Sequence, residues 1–316
     1  MPAAVWAIVA ACVLWGTTGT AASIAPETVS PLAIGAATMG IGGLLLFAVN
    51  GPVALRALRD PAARRWLAAG SLGVFVYPLA FYSSMDAAGV AIGNVVSLGT
   101  GPLFAALWEW LFERRGLSRR WAISTGIALA GVLLLGLGGV ERPGTSPGAG
   151  PDTSSGAGAS DPLAGILLGL LAGAAYAWYT YASTRAIAAG HPGRAAMGGM
   201  FGTGAVLLLP VLLLTGAPIL TSGTAIGVVT YLAVGPMFVA YLLFGYGLRA
   251  IRSSSATTLT LLEPVVATLL AVAVVGERPG PVAWAGLALI LIGITVLVAA
   301  RRRPAGALSQ YHFDHG

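Results

Sequence analysis

The sequence predicts an all-α integral membrane protein of ten transmembrane helices, arranged as two inverted five-helix repeats. Three observations carry this prediction. Apolar residues make up 57% of the 316-residue chain and charged residues only 9%, whereas a soluble domain carries about 25% charge to cover its surface. The second half also repeats the first. Pro102 in "LGTGPLFAAL" lies 162 residues before Pro264 in "LLEPVVATLL", and the same shift carries Thr18 onto Thr180, Gly40 onto Gly202, Gly42 onto Gly204, Gly73 onto Gly235 and Gly131 onto Gly293. An odd number of spans per half makes the second copy cross the membrane in the opposite sense, as in many secondary transporters. Third, fifteen of the seventeen arginines fall in alternate connections and the tail, on one side of the membrane. A miscount by one helix would scramble that bias.

A bilayer core of about 30 Å needs roughly 20 apolar residues per helix, and ten segments supply them. The first repeat (1–140) holds spans 3–23, 32–50, 66–84, 89–112 and 121–140. The first span lacks a basic leader and is long enough to cross, so it reads as a helix and not a cleaved signal. "APETVSP" (25–31) turns the chain. Arg56, Arg59, Arg64 and Arg65 fill the second connection, and Arg114, Arg115, Arg119 and Arg120 the fourth. Residues 141–162 are rich in Gly, Pro and Ser and read as a flexible linker. The second repeat (163–300) holds spans 163–186, 194–215, 223–247, 253–275 and 281–300, joined at Arg185/Arg194, "GAPILTSG", Arg249/Arg252 and "GERPGP". The tail (301–316) opens on Arg301, Arg302 and Arg303. Its His312, Asp314 and His315 read as a disordered end and not a metal site. Only Arg142 and Arg278 fall on the far side, so the positive-inside rule puts both termini in the cytoplasm; the expected location is a plasma (inner) membrane.

Between helices in lipid, close contact depends on small residues. Gly89, Gly93, Ser97, Gly101 and Ala105 form one stripe, Gly165, Gly169, Gly173 and Ala177 another, and Gly198 and Gly202 a third; they read as packing surfaces. Pro102 and Pro264 each remove a backbone donor at mid-span, so paired bends around a shared cavity are expected at these conformational positions.

A carboxylate inside the membrane is costly and is a functional hypothesis by default. Glu263, ten residues into the ninth span, is the foremost one, and its repeat mate is Gly101. Glu109 reads as an interfacial partner of Arg114–Arg115, and Asp86 as a solvated residue at the outer mouth. Trp66, Trp121 and Trp284 lie at span ends, as an interfacial belt requires. Trp15 and Trp178 lie inside their spans beside Thr17, Thr18, Tyr179 and Thr180, and are expected to face one another. With Tyr77, Tyr82, Tyr241, Tyr246, Asn94 and Ser97 they would line a cavity with aromatic walls and a few hydrogen-bonding groups. The proposed solute-binding set is therefore Trp15, Thr18, Tyr77, Tyr82, Asn94, Ser97, Trp178, Tyr179, Tyr241, Tyr246 and Glu263.

Lysine is absent, which removes phosphate-loop and Schiff-base chemistry. No zinc-protease, nucleophile-elbow or Ser/His/Asp pattern occurs, and Cys12 is the single cysteine. No enzyme activity, cofactor, metal or nucleic-acid partner is expected. The expected partners are a small solute and the lipid bilayer, with a homodimer left open.

"VLWGTTGT" (13–20), "AGVAIGNVVSLGTGPLFAALWEWLFERRGLS" (88–118) and "TLTLLEPVVATLLAVAVVGERPG" (258–280) resemble the two EamA modules of the drug/metabolite transporter superfamily. The first copy's "FERR" lacks the glycine of "GER" at 276–278. The resemblance implies ten helices with both termini inside, a central cavity built mainly by helices 1, 3, 4, 6, 8 and 9, and export of amino acids, related metabolites or drugs by alternating access. Small four-helix pumps of the superfamily exchange protons through a helix-1 glutamate. Here the first and sixth spans hold no carboxylate, so that role does not transfer. Two alternatives are a sugar or nucleotide-sugar carrier and a non-transporting membrane scaffold or sensor subunit.

Overall fold

The computed structural model describes residues 2–22, 24–26, 28–88, 90–114, 116–138, 140–141, 161–275 and 278–299. Among the described residues, ten helices are long and apolar enough to cross a bilayer: Ala3–Ala22 (α1), Pro31–Arg59 (α2), Pro61–Met85 (α3), Ile92–Glu113 (α4), Arg119–Leu137 (α5), Pro162–Ala188 (α6), Gly193–Thr215 (α7), Gly223–Gly247 (α8), Ser253–Val274 (α9) and Pro281–Ala299 (α10). The chain is an integral multi-pass membrane protein. Most of the linker and all of the tail lie outside the described residues, as does the side chain of Asp86.

Local chemistry sets the boundaries. Ser30, Ser118, Asp161 and Ser222 accept from backbone N–H groups three residues on, at 3.0–3.4 Å, and so start α2, α5, α6 and α8. The second connection is helical almost throughout. Only Asp60 separates α2 from α3; its backbone is extended (φ −74°, ψ 116°), as the proline after it demands.

The main helix pairings persist when the two halves are exchanged. α2 packs along α7, α5 along α10 and α4 against α9, and each pair maps onto itself. The α3–α6 and α4–α6 contacts map onto α8–α1 and α9–α1, and all four are present. Among the described residues the one strand pairing joins Val140–Glu141 to Arg278–Pro279, antiparallel. It ties the α5 and α10 ends beside the linker. The opposite end of the bundle carries most of the arginines.

Repeat-related glycines bring α5 and α10 together. A Cβ on Gly131 would stand 2.6 Å from the Gly286 carbonyl oxygen, and one on Gly293 would stand 2.6 Å from that of Ser124. The α6 stripe works as expected: a Cβ at Gly169 would meet Val96 at 2.9 Å, and one at Gly173 the Ser97 carbonyl at 2.8 Å.

Three helices around the centre change type. α1 breaks at Thr17. α8 widens into a π-helical turn over Ala233–Val239 around Pro236. α9 passes through a 3₁₀ turn at Thr260–Leu262 before resuming as Glu263–Leu270. Pro264 has no N–H for the Thr260 carbonyl, and the Glu263 N–H takes that acceptor instead. The first repeat differs. α-Helix runs uninterrupted from Val90 to Glu113 through Pro102, so the change of helix type beside the paired prolines occurs in one repeat only.

A carboxylate among tyrosines

Glu263 lies on the face of α9 that meets α1. The Cys12 thiol donates to the Leu259 carbonyl at 3.6 Å, and a Cβ on Gly16 would stand 2.7 Å from Val266. Residues 259, 263 and 266 form one helical stripe, so Glu263 sits between these two contacts. It is half-buried. Among the described residues its carboxylate has no hydrogen-bond or ion-pair partner. The Tyr77, Tyr82, Tyr176 and Tyr241 phenols and the Cys12 thiol are all within its electrostatic reach.

The rings form a connected wall. Tyr77 stacks on Phe81 (5.4 Å between centroids) and packs against Tyr176 and Tyr179 (5.9 Å each), while Tyr82 meets Phe81 at 5.4 Å. The Tyr176 hydroxyl shares a 2.7 Å hydrogen bond with that of Thr260, in the 3₁₀ turn before Glu263. Tyr179 and Tyr241 share another of 2.7 Å. Trp15 packs edge-on against Tyr241 at 5.1 Å, and its indole N–H donates to the Pro236 carbonyl at 2.8 Å. That acceptor lies in the π-turn. Helices α1, α3, α6 and α8 thus build one ring wall, joined to α9 at Thr260, one turn before Glu263.

Other nominated residues stand nearer the margin. Thr18 is half-buried and begins the short helical piece after the break in α1. Its neighbour Thr17 shares a 2.6 Å hydrogen bond with Tyr231 of α8. Asn94 is half-buried on α4. Ser97 is sealed, and its hydroxyl has no partner among the described residues. Gly101, the repeat mate of Glu263, lies under the Tyr176 ring.

Trp178 and Tyr246 lie outside this ring wall. Trp178 donates to the Ala69 carbonyl at 2.8 Å and joins Trp66, Trp108 and Phe112 in a second aromatic group at the arginine-rich end. It does not face Trp15. Neighbouring helical residues point about 100° apart, and Tyr179 takes the inward direction. Tyr246 is 47% exposed with Arg249 over its ring; five residues from Tyr241 is about 140° of helical rotation. Conversely, Tyr176, Phe81 and Thr260 belong to the wall and were not singled out from the sequence. The spacings Tyr176/Tyr179 and Tyr77/Phe81, three and four residues, are the same-face signal.

Two expectations at the arginine-rich end are corrected. Glu109 is 3% exposed, and among the described residues its partners lie at the start of α9. It accepts from the Arg252 guanidinium at 2.8 Å, the Ser253 hydroxyl at 2.7 Å, and the Ser254 N–H and hydroxyl at 2.9 Å each. Trp121 is buried and donates to the Ser254 carbonyl at 3.2 Å, so it belongs to this junction and not to an interfacial belt. Nearby, Arg185 pairs with Glu113 at 3.2 Å.

The chain is similar to known transporters along nearly its whole length. It is 32% identical over 302 residues to the uncharacterized transporter YwfM of Bacillus subtilis (strain 168), covering 94% of each chain. It is 26% identical over 303 residues to the uncharacterized inner membrane transporter YedA of Escherichia coli (strain K12), covering 93% of this chain and 90% of YedA. One solved crystal structure shares the fold, with a TM-score of 0.74 at 24% identity over 96% of this chain and 100% of that one. The sequence model of the EamA-like transporter family matches twice, at residues 2–137 and 163–299. The chain belongs to the EamA-like transporter family.

Proposed function

We propose that this protein is an inner-membrane exporter of small amine-bearing metabolites, amino acids among them, working by alternating access about a site at Glu263. The observation that carries the reading is a half-buried carboxylate that has no partner among the described residues and lies one turn from a wall of aromatic rings drawn from four helices. Such a group is costly in a membrane protein unless a ligand or proton satisfies it. An ammonium group that reached Glu263 would gain a charge-assisted hydrogen bond, with the π-faces of tyrosines nearby. The positive-inside bias supports a cytoplasmic arginine-rich end and cytoplasmic termini.

A nucleotide-sugar carrier would need fixed cations for phosphate. Arg56, Arg59, Arg64, Arg65, Arg114, Arg119, Arg120, Arg185, Arg194, Arg249, Arg252 and Arg278, the arginines among the described residues, lie at or near helix ends, which disfavours that alternative. Flux from proteoliposomes containing only this protein tests the reading and its rivals together. Wild type should move amines or amino acids. Glu263→Gln, folded but unable to form the charge-assisted bond, should lose about tenfold to hundredfold in rate, from about 1.5–3 kcal/mol of interaction. Wild-type flux in that variant would remove Glu263 from the site. Absence of flux for every solute class would favour the scaffold alternative.

A further inference from the structure

We propose that Glu109 and the Arg252–Ser254 turn form a carboxylate latch that holds the arginine-rich end of the bundle shut. The two partners come from different repeats, 143 to 145 residues apart in sequence. An ionised carboxylate offers about four acceptor sites, and Glu109 fills them with four donors at 2.7–2.9 Å. The carbonyls behind these donors are also engaged: Ser254 accepts from Trp121 and Thr258, and Ser253 from Thr257. Thr125 of α5 adds a 2.9 Å hydrogen bond to Thr258. Helix α9 cannot leave α4 at this end without exchanging these bonds for bonds to water, and that exchange costs more for bonds to a charged group than for neutral ones.

The inverted repeat gives this junction an unlike counterpart. Exchange of the halves maps Glu109 onto Ala271, and Arg252, Ser253 and Ser254 onto Val90, Ala91 and Ile92. None of these four side chains can donate or accept a hydrogen bond. In an alternating-access cycle the two junctions open in turn. Polar bonding concentrated on one of them biases the resting protein toward closure at that end. The same helix carries the latch and Glu263, separated by the 3₁₀ turn at Thr260–Leu262. That turn lets Ser253–Leu259 swing while Glu263–Leu270 stays in place. The latch does not depend on which solute binds.

Cys12 is a built-in reporter. It is fully buried, is the single cysteine of the chain, and its thiol bonds to the carbonyl of Leu259, the last residue of the swinging piece. Labelling by a membrane-impermeant maleimide, applied to vesicles of each orientation, therefore reads the opening directly. Wild type should label slowly from both sides. Ser254→Ala and Glu109→Gln should label at least about tenfold faster, and only from the arginine-rich side, as expected for loss of charge-assisted hydrogen bonds. Glu113→Gln breaks the neighbouring Arg185 pair and should label at the wild-type rate. Unchanged labelling in the two latch variants would overturn the proposal, as would equal acceleration in Glu113→Gln, acceleration from the opposite side, or rapid labelling of wild type. If Glu109→Gln does not fold, Ser254→Ala alone decides, because it removes one hydroxyl and leaves the carboxylate three donors.

Discussion

Tyr179 and Tyr241 hold their phenol oxygens 2.7 Å apart, across α6 and α8. This bond joins two groups of rings. Tyr179 packs on Tyr77 and Tyr176, and Tyr241 on Trp15 and Phe244. Both phenols are buried, so neither has water as an alternative. Tyr241→Phe and Tyr179→Phe should each cost about 1–3 kcal/mol by stranding the other hydroxyl, and the double variant should cost less than the sum. Thermal unfolding of all four proteins checks this; additive losses would show that the bond does not couple the two residues.

The indole of Trp15 should matter through its N–H as well as its bulk. Pro236 cannot donate, and the π-turn around it leaves its carbonyl to Trp15 at 2.8 Å. Trp15→Phe keeps an aromatic ring against Tyr241 and removes the donor, with an expected loss of about 1–3 kcal/mol. A melting temperature equal to wild type would contradict this account.

Two glycines of α5 should behave oppositely. A Cβ on Gly131 would stand 2.6 Å from the Gly286 carbonyl and 2.7 Å from the Ile290 nitrogen, whereas one on Gly126 would meet nothing within 4 Å. Gly131→Ala should destabilise by about 1–3 kcal/mol or more, because backbone cannot rotate away as a side chain can. Gly126→Ala should be neutral or stabilising by up to about 1 kcal/mol. Thermal shift of the two purified variants distinguishes them, and similar losses would argue against backbone contact at Gly131.

Asp60 gives a pH test at the α2–α3 junction. His191 at 2.8 Å and the Ala62 N–H at 3.0 Å hold its carboxyl below the ordinary carboxylate value, His191 most strongly. A lowered folded-state pKa favours folding above the unfolded value of about 3.9, and the contribution is lost as pH falls through the lowered value. Asp60→Asn should therefore melt slightly below wild type above about pH 5, and the two curves should meet on acidification. A gap that widened toward low pH would refute the assignment.

The ten spans were legible because lipid demands long apolar runs, and the arginines marked the turns between them. The inverted repeat was legible because Pro102 and Pro264, and several glycines with them, recur 162 residues apart in one register; two of those glycines, 131 and 293, are contact points between α5 and α10. Depth in the membrane could be read for Trp15 and Trp178, but not the direction each ring takes around its helix. Hence Trp178 was grouped with Trp15, although it belongs with Trp66 and Trp108. Glu109 shows a second limit. Its nearest arginines in sequence are five and six residues away, yet its partners lie on α9. The clue was the hydroxyl-rich run from Ser253 to Thr258, more polar than a lipid-facing helix start requires.

Where α5 and α10 touch, main chain lies against main chain, and no layer of side chains separates them to act as a bearing. Two rods joined in this way turn together or not at all. They form a fixed post at the edge of the bundle, and any movement during a transport cycle is left to the other eight spans.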